Sequence, residues 1–138
     1  MNLLEAMLKA DEGKITQKDT KDYEVKRLSE SFGVPFILHL QEILPKRMSE
    51  IQGLSFDFDK KGRFKKGDTH EVNLLYLCDG IANPEFKDKE LLKKYHVASP
   101  KDLFEKLFKA GEISDIAGEI QNLSGYDEDE DEKDAVKN

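Results

Sequence analysis

The apolar positions in the C-terminal half of the chain follow the period of an α-helix. Two stripes repeat every three or four residues. They consist of Leu103, Phe104, Leu107 and Phe108, and of Ile113, Ile116, Ile120 and Leu123. Residues at this spacing share one face of a helix. The sequence therefore predicts two amphipathic helices, of which the first begins at Ser99-Pro100 and is broken by Gly111, while the second ends before Gly125.

The segment "EVNLLYLCDGI" is apolar on nearly every side, which is typical of a buried helix. Asp68 or Thr69 can cap its start, and Glu71 stands where a capping box places a carboxylate. Gly80 ends the pattern, and Pro84 prevents its continuation. A further short helix is predicted over "KDKELLKKYH", so we expect the whole C-terminal half to be helical.

The N-terminal half begins with one helical pattern and continues with an alternating one. The first apolar stripe consists of Leu3, Leu4, Met7 and Leu8. It predicts a helix that stops at Gly13, followed by a loop over residues 14–22. The runs "YEVKRLSE" and "PFILHLQEIL" then flank Gly33 and Pro35, which predicts a β-hairpin.

A second hairpin is predicted further along the chain. Pro45 and Gly53 bracket a short helix, and "LSFDFDKKGRFKK" alternates around the turn "DKKG". We therefore expect an α+β fold, with small antiparallel β-hairpins in the N-terminal half and a helical C-terminal half.

The negative charge of the chain is concentrated at its C-terminal end. The net charge is −7 over 138 residues. Residues 127–138 hold seven acidic side chains against two lysines, a charge of −5, which leaves −2 for residues 1–126. A segment of this composition has too little apolar surface to fold. We expect a single domain over residues 1–126 and a flexible acidic tail over residues 127–138.

The segment "DFDKKGRFKKGD" matches an EF-hand calcium loop at several positions. Asp57, Asp59 and Asp68 take the first, third and twelfth places, and Gly62 takes the sixth. Lys61, however, occupies the fifth ligand place, and such loops end in a bidentate glutamate. The neighbouring cations would repel the ion further. We expect no metal site.

Motifs for catalysis and for membrane or nucleic-acid binding are incomplete. "HEVNL" has Leu74 where a zinc-protease helix needs its second histidine, and "GLSFD" has Asp57 where a hydrolase elbow needs glycine. Cys78 lies in an apolar helix, where cysteine is usually a small core residue. The cations near Phe58 and Phe64 are offset by aspartates, and "LLYLC" is too short to span a bilayer. We expect no enzymatic activity, no cofactor, and no binding to nucleic acid or membrane.

Several strings along the chain carry a resemblance to a known family. They are "NLLEAMLKADEGKI", "EVKRLSESFGVPFILHL", and a C-terminal series of D-G-x-x-N-P-x-x-K-D-K-E-L-L, S-P-K-D-L, G-E-I and L-S-G-Y. In this order and spacing the chain resembles the XkdN-like tail assembly chaperones of phages and prophages. Residues 54–69 match this family least.

The resemblance implies a protein of the host bacterial cytoplasm that holds the long, largely helical tape measure protein soluble. It also implies help in assembling the tail tube and absence from the mature virion. The implied partners are the tape measure protein and the tail tube protein, and self-association stays open.

Partner binding by such a protein would need apolar side chains on helices. The expected partner-binding residues are the two stripes, part of which must also form the core: Leu103, Phe104, Leu107, Phe108, Ile113, Ile116, Ile120 and Leu123. The alternative function is an acidic phage protein that mimics DNA and blocks a host nucleic-acid-binding protein. That function would require acidic residues on a rigid face, whereas here they are mostly in the tail.

Overall fold

The computed structural model of the chain describes residues 1–58 and 60–126, with the backbone alone at 56–58 and 64–66. The predicted acidic tail, residues 127–138, lies outside the described residues. Within the described part, eight α-helices combine with two two-stranded antiparallel sheets. The predicted α+β class, with strands in the N-terminal half and helices in the C-terminal half, is confirmed.

Two short helices open the chain. The first, α1 (Leu3–Lys9), begins where the Asn2 side chain accepts the Glu5 N–H at 2.8 Å. The second, α2 (Glu12–Ile15), extends into the loop predicted over residues 14–22, and the first strand already begins within that loop at Thr20. The predicted helix stop at Gly13 is wrong, because the Asp11 carboxylate caps α2 by accepting the Gly13 N–H at 3.0 Å. Neither helix buries a residue.

The first sheet pairs β1 (Thr20–Glu24) with β2 (Ile37–Gln41), and the helix α3 (Lys26–Phe32) connects them. The first strand is predicted over "YEVKRLSE", residues 23–30, where the structure has the end of β1 and most of α3. Val25 and Leu28, three residues apart, are both buried, which a helical turn achieves and an alternating strand does not.

The next elements follow the prediction closely. Helix α4 (Pro45–Gly53) precedes the strands β3 (Phe56–Phe58) and β4 (Phe64–Lys66), which pair as a hairpin. An EF-hand loop lies between two helices, whereas strands flank this turn. The carboxylate of Asp68 accepts the Glu71 N–H at 3.1 Å and so caps the following helix.

Four helices and a 3₁₀ turn form the C-terminal half as far as residue 126. They are α5 (Thr69–Gly80), the 3₁₀ turn Pro84–Lys87, α6 (Lys89–Lys94), α7 (Pro100–Leu107) and α8 (Ala110–Leu123). The break predicted at Gly111 lies earlier, because Glu112 accepts the Lys109 N–H at 2.8 Å and starts α8 there. The predicted end is confirmed: Gly125 is left-handed, with a φ of 100°.

The core lies between the first sheet and the C-terminal helices. Leu38 and Leu40 of β2 are fully buried, together with Leu77 of α5 and Ile116 and Ile120 of α8. Alternate residues of β2 therefore face the helices, as the pleat of a strand dictates. Across residues 1–58 and 60–126, no helix has the length and apolar character needed to cross a membrane.

Candidate functional site

The eight residues predicted to bind a partner lie on α7, α8 and the turn between them. Six of them are buried in the core of the domain: Leu103, Phe104, Phe108, Ile113, Ile116 and Ile120. The other two, Leu107 and Leu123, are half-buried and pack against that core. These stripes therefore hold the fold together, and a partner-binding role for them stays a prediction.

A chain of aromatic rings shows how α7 is fixed in the core. Phe104 stacks on Phe108, with ring centroids 5.7 Å apart, and meets Phe86 edge-on at 5.4 Å. Phe36 contacts both Phe86 and Phe108, and on its outer side it stacks on the exposed Phe32 at 5.8 Å. Ring pairs at these distances stabilise the packing beyond their buried area.

Exposed apolar side chains are instead concentrated at the start of the chain. The predicted stripe of α1 forms a helical face, but its members Leu3, Leu4, Met7 and Leu8 are 66–76% exposed. Ile15 of α2 is 73% exposed as well. An ordered helix that displays a large apolar face to solvent is a candidate contact surface.

A shallow apolar cleft separates α1 from α2. It has a volume of about 380 Å³, and its lining includes Ala6, Met7, Ala10 and Ile15. The two alanines stand one helical turn apart, so they leave room beside α1 for an incoming side chain.

A second, polar groove of about 700 Å³ runs between α5 and α8. Its lining includes Tyr23, Tyr76, Asp115 and Glu119. Burial raises the pKa of both phenols, and the carboxylates of Asp115 and Glu119 raise the pKa of Tyr23 further. Both phenols therefore stay protonated at neutral pH and can donate hydrogen bonds.

The histidines and the cysteine stand in separate surroundings. His39 contacts Asp22 at 2.7 Å and His70 contacts Glu105 at 2.5 Å, both on the surface. Burial raises the pKa of the half-buried Cys78 thiol, which makes it a poorer nucleophile. Among the described residues, no three histidine, cysteine, aspartate or glutamate side chains lie close enough together to hold a metal ion.

The string D-G-x-x-N-P, residues 79–84, connects the end of α5 to β2 through hydrogen bonds. The Asn83 side chain is buried, accepts the His39 N–H at 2.7 Å and donates to the Ile37 carbonyl at 2.9 Å. Asp79 binds Arg47 of α4 at 2.7 Å. Gly80 lets α5 and α8 approach closely, since a Cβ there would lie 2.5 Å from Ile120 Cδ1.

Two further strings of the C-terminal half, G-E-I and L-S-G-Y, also connect distant elements of the fold. In G-E-I, Glu112 pairs with Arg27 of α3 at 2.7 Å, and this pairing lowers the pKa of the Glu112 carboxyl. In L-S-G-Y, the Ser124 hydroxyl accepts the Ile43 N–H at 2.9 Å. Sequence reasoning missed these contacts, because each joins residues more than 80 positions apart. For the string D-G-x-x-N-P there is one local signal, because an asparagine directly before a proline, here Asn83 before Pro84, marks a turn.

Comparisons with known proteins agree with this architecture. The family model described as "Phage XkdN-like tail assembly chaperone protein" matches residues 4–137. The crystal structure of the protein YqbN is similar in fold, with a TM-score of 0.53 and 19% sequence identity, over 79% of this chain and 88% of that one. None of the curated proteins matches the chain significantly.

Proposed function

This chain belongs to the XkdN-like family of phage tail assembly chaperones, and we propose that it holds the tape measure protein soluble while the tail tube assembles. It does so in the host bacterial cytoplasm, without catalysis, and is absent from the mature virion. The tail tube protein is its second proposed partner.

The observation that carries this proposal is the exposed apolar face of α1. A holding protein must cover apolar surface on its partner and remain soluble itself. Leu4 and Leu8 of α1 are 66% and 76% exposed and provide such apolar surface. The charged residues, 37% of the chain, favour solubility. The proposed acidic tail, residues 127–138, would keep such a complex soluble through its like charges.

Co-expression with the tape measure protein encoded in the same genome tests the proposal. The tape measure protein should be insoluble when expressed alone and should co-purify in the soluble fraction with this chain. If it stays insoluble in the presence of the chaperone, the proposal fails. Recovery of a host DNA-binding protein instead would favour the DNA-mimic alternative.

Serine substitutions test the predicted role of the two stripes in partner binding. We propose that a partner reaches Leu107 and Leu123, because these two are half-buried. Leu107→Ser and Leu123→Ser should lose more holding than stability. Ile116→Ser should lose both, at a cost of about 2–5 kcal/mol. Thermal unfolding and the amount of soluble partner measure the two effects, and equal losses at all three sites would exclude docking on the stripes.

A further inference from the structure

Leu107 and Leu123 are only half-buried contacts on α7 and α8, and the geometry points to α1 and α2 as the main docking surface. We propose that these two helices form the docking site for one amphipathic helix of the partner protein. This inference rests on the proposed function. Its starting point is that the apolar face is presented on an ordered helix, whose start is capped by Asn2 and whose last turn is closed by a 3.1 Å bond from the Ala10 N–H to the Ala6 carbonyl.

The shape of the surface suits a helix. The four apolar side chains of α1 lie on one side, and the cleft lined by Ala6, Ala10 and Ile15 continues that side toward α2. Recognition of a helix in a groove uses apolar anchors at positions i, i+3 or i+4, and i+7. A large side chain at one such position would enter the cleft, while its neighbours would cover Leu4 and Leu8.

The size of the surface argues against a second copy of this chain as the occupant. Helices α1 and α2 comprise seven and four residues. A stable protein–protein interface takes roughly 20–30 residues on each side. The interface of a symmetric dimer held by this surface alone would therefore be too small, whereas helix-in-groove recognition relies on a few apolar anchors along one partner helix.

The charges around the surface argue against a lipid membrane. The rim carries Glu5, Asp11 and Glu12 against Lys9 and Lys14. Helices that bind membrane surfaces have an excess of lysine and arginine on their polar face, which attracts anionic lipids. The mixed rim of α1 and α2, with one net negative charge, fits a protein partner with mixed charges of its own.

The test is the double substitution Leu4→Ala and Leu8→Ala in the full chain, co-expressed with the tape measure protein of the same genome. Alanine keeps the helix propensity of α1 while it removes the apolar surface. The matched control is Leu44→Ala with Leu54→Ala, since these two leucines are 51% and 54% exposed outside α1. Circular dichroism and thermal unfolding should be unchanged in both variants.

With the Leu4/Leu8 variant, we expect the amount of tape measure protein in the soluble fraction to fall by at least ~10-fold. With the Leu44/Leu54 control, that amount should match the wild type. Equal holding by both variants would overturn the docking site while leaving the proposed function intact. Failure of the wild type to hold the partner would instead overturn the proposed function. Two other results would also overturn the inference. If the wild type forms a concentration-dependent dimer in sedimentation and only the Leu4/Leu8 variant loses it, the face binds a second copy. If the wild type binds anionic vesicles and only this variant loses that binding, the face binds a membrane.

Discussion

Arg27 and Glu112 connect the two halves of the fold through one cluster of hydrogen bonds. Both Nε and Nη2 of Arg27 donate to the Glu112 carboxylate, and Nη2 also donates to the Leu107 carbonyl at 2.8 Å. Glu112 in turn caps α8 at Lys109. A two-pronged pair of this kind fixes orientation as well as distance, so this single contact holds α3 against the turn between α7 and α8.

The ion pair predicts a pH-dependent loss of stability. Hydrogen bonding from Arg27 holds the pKa of Glu112 below its ordinary value. As the pH falls, the unfolded chain therefore takes up this proton before the folded protein does. The stabilisation is fully present above the ordinary glutamate pKa. It is lost as the pH falls through the lowered pKa of Glu112 in the folded protein. Glu112→Gln should lower the urea midpoint at neutral pH and match the wild type in acid.

The exposed pair Arg47–Glu50 provides the control for this titration. Glu50→Gln should have little effect at either pH, because exposed pairs of this type contribute little to stability. If Glu112→Gln has the same small effect at neutral pH, Arg27 and Glu112 do not couple the two halves.

Substitution by alanine should change the stability of the protein in opposite directions at two glycines that have equal space around them. A Cβ would meet nothing within 4 Å at Gly33 or at Gly53, but only Gly33 has a positive φ, of 73°. Gly33→Ala should therefore cost about 1–2 kcal/mol of left-handed strain. Gly53→Ala, in the last turn of α4, should stabilise by up to ~1 kcal/mol. Thermal unfolding of both variants measures the contrast, and equal shifts would contradict it.

At the scale of elements, the contact of α5 with α8 depends on the missing side chain of Gly80. A Cβ at Gly80 would lie 2.5–2.7 Å from three side-chain atoms of Ile120. Ile120 is fully buried, so any shift of its side chain would disturb the packing around it. Close approach of two helix backbones at a glycine brings the flanking side chains into tight packing.

Gly80→Ala should therefore cost about 1–3 kcal/mol from overpacking, and Ile120→Ala about 2–5 kcal/mol from the cavity that it leaves. In the double variant the alanine at position 80 fills part of that cavity, so the combined loss should be smaller than the sum. Denaturant unfolding of the four proteins gives this coupling. Additive losses would show that the two helices do not meet at these residues.

Asn83 joins a further segment to the first sheet. Ile81 forms a bridge with Leu40 of β2, and the Ala82 N–H donates to the His39 carbonyl at 2.8 Å. With the two bonds of the Asn83 side chain, these contacts satisfy part of the free edge of β2. An edge that is paired in this way is protected from pairing with another chain.

At the scale of the whole molecule, most of the net negative charge lies outside residues 1–126, the predicted domain. Residues 1–126 have a net charge of −2, and residues 127–138 have −5. We propose that residues 1–126 are one folding unit and that the acidic residues serve solubility. Removal of residues 127–138 should then shift the free energy of unfolding by no more than ~0.5 kcal/mol, as measured by thermal unfolding. A larger loss would show that these residues stabilise the domain.

Local signals in the sequence were sufficient for the ends of several helices. Ser99 before Pro100 predicts the start of α7, and the Ser99 hydroxyl indeed accepts the Asp102 N–H at 3.3 Å. The predicted bounds of α4 and the glycine that ends α8 are likewise confirmed. Caps, prolines and glycines act on the few residues beside them, so one sequence contains all the information that they need.

The structure of residues 26–32 and the identity of the buried stripes depend on contacts distant in sequence. Residues 26–32 form a helix because Val25 and Leu28 bury together in the core. The apolar stripes of α1 and α8 have the same helical spacing, yet the stripe of α1 is exposed and that of α8 includes Ile116 and Ile120, which are fully buried. Periodicity determines which residues share a face, but only the packing of distant elements decides whether that face meets the core or the solvent.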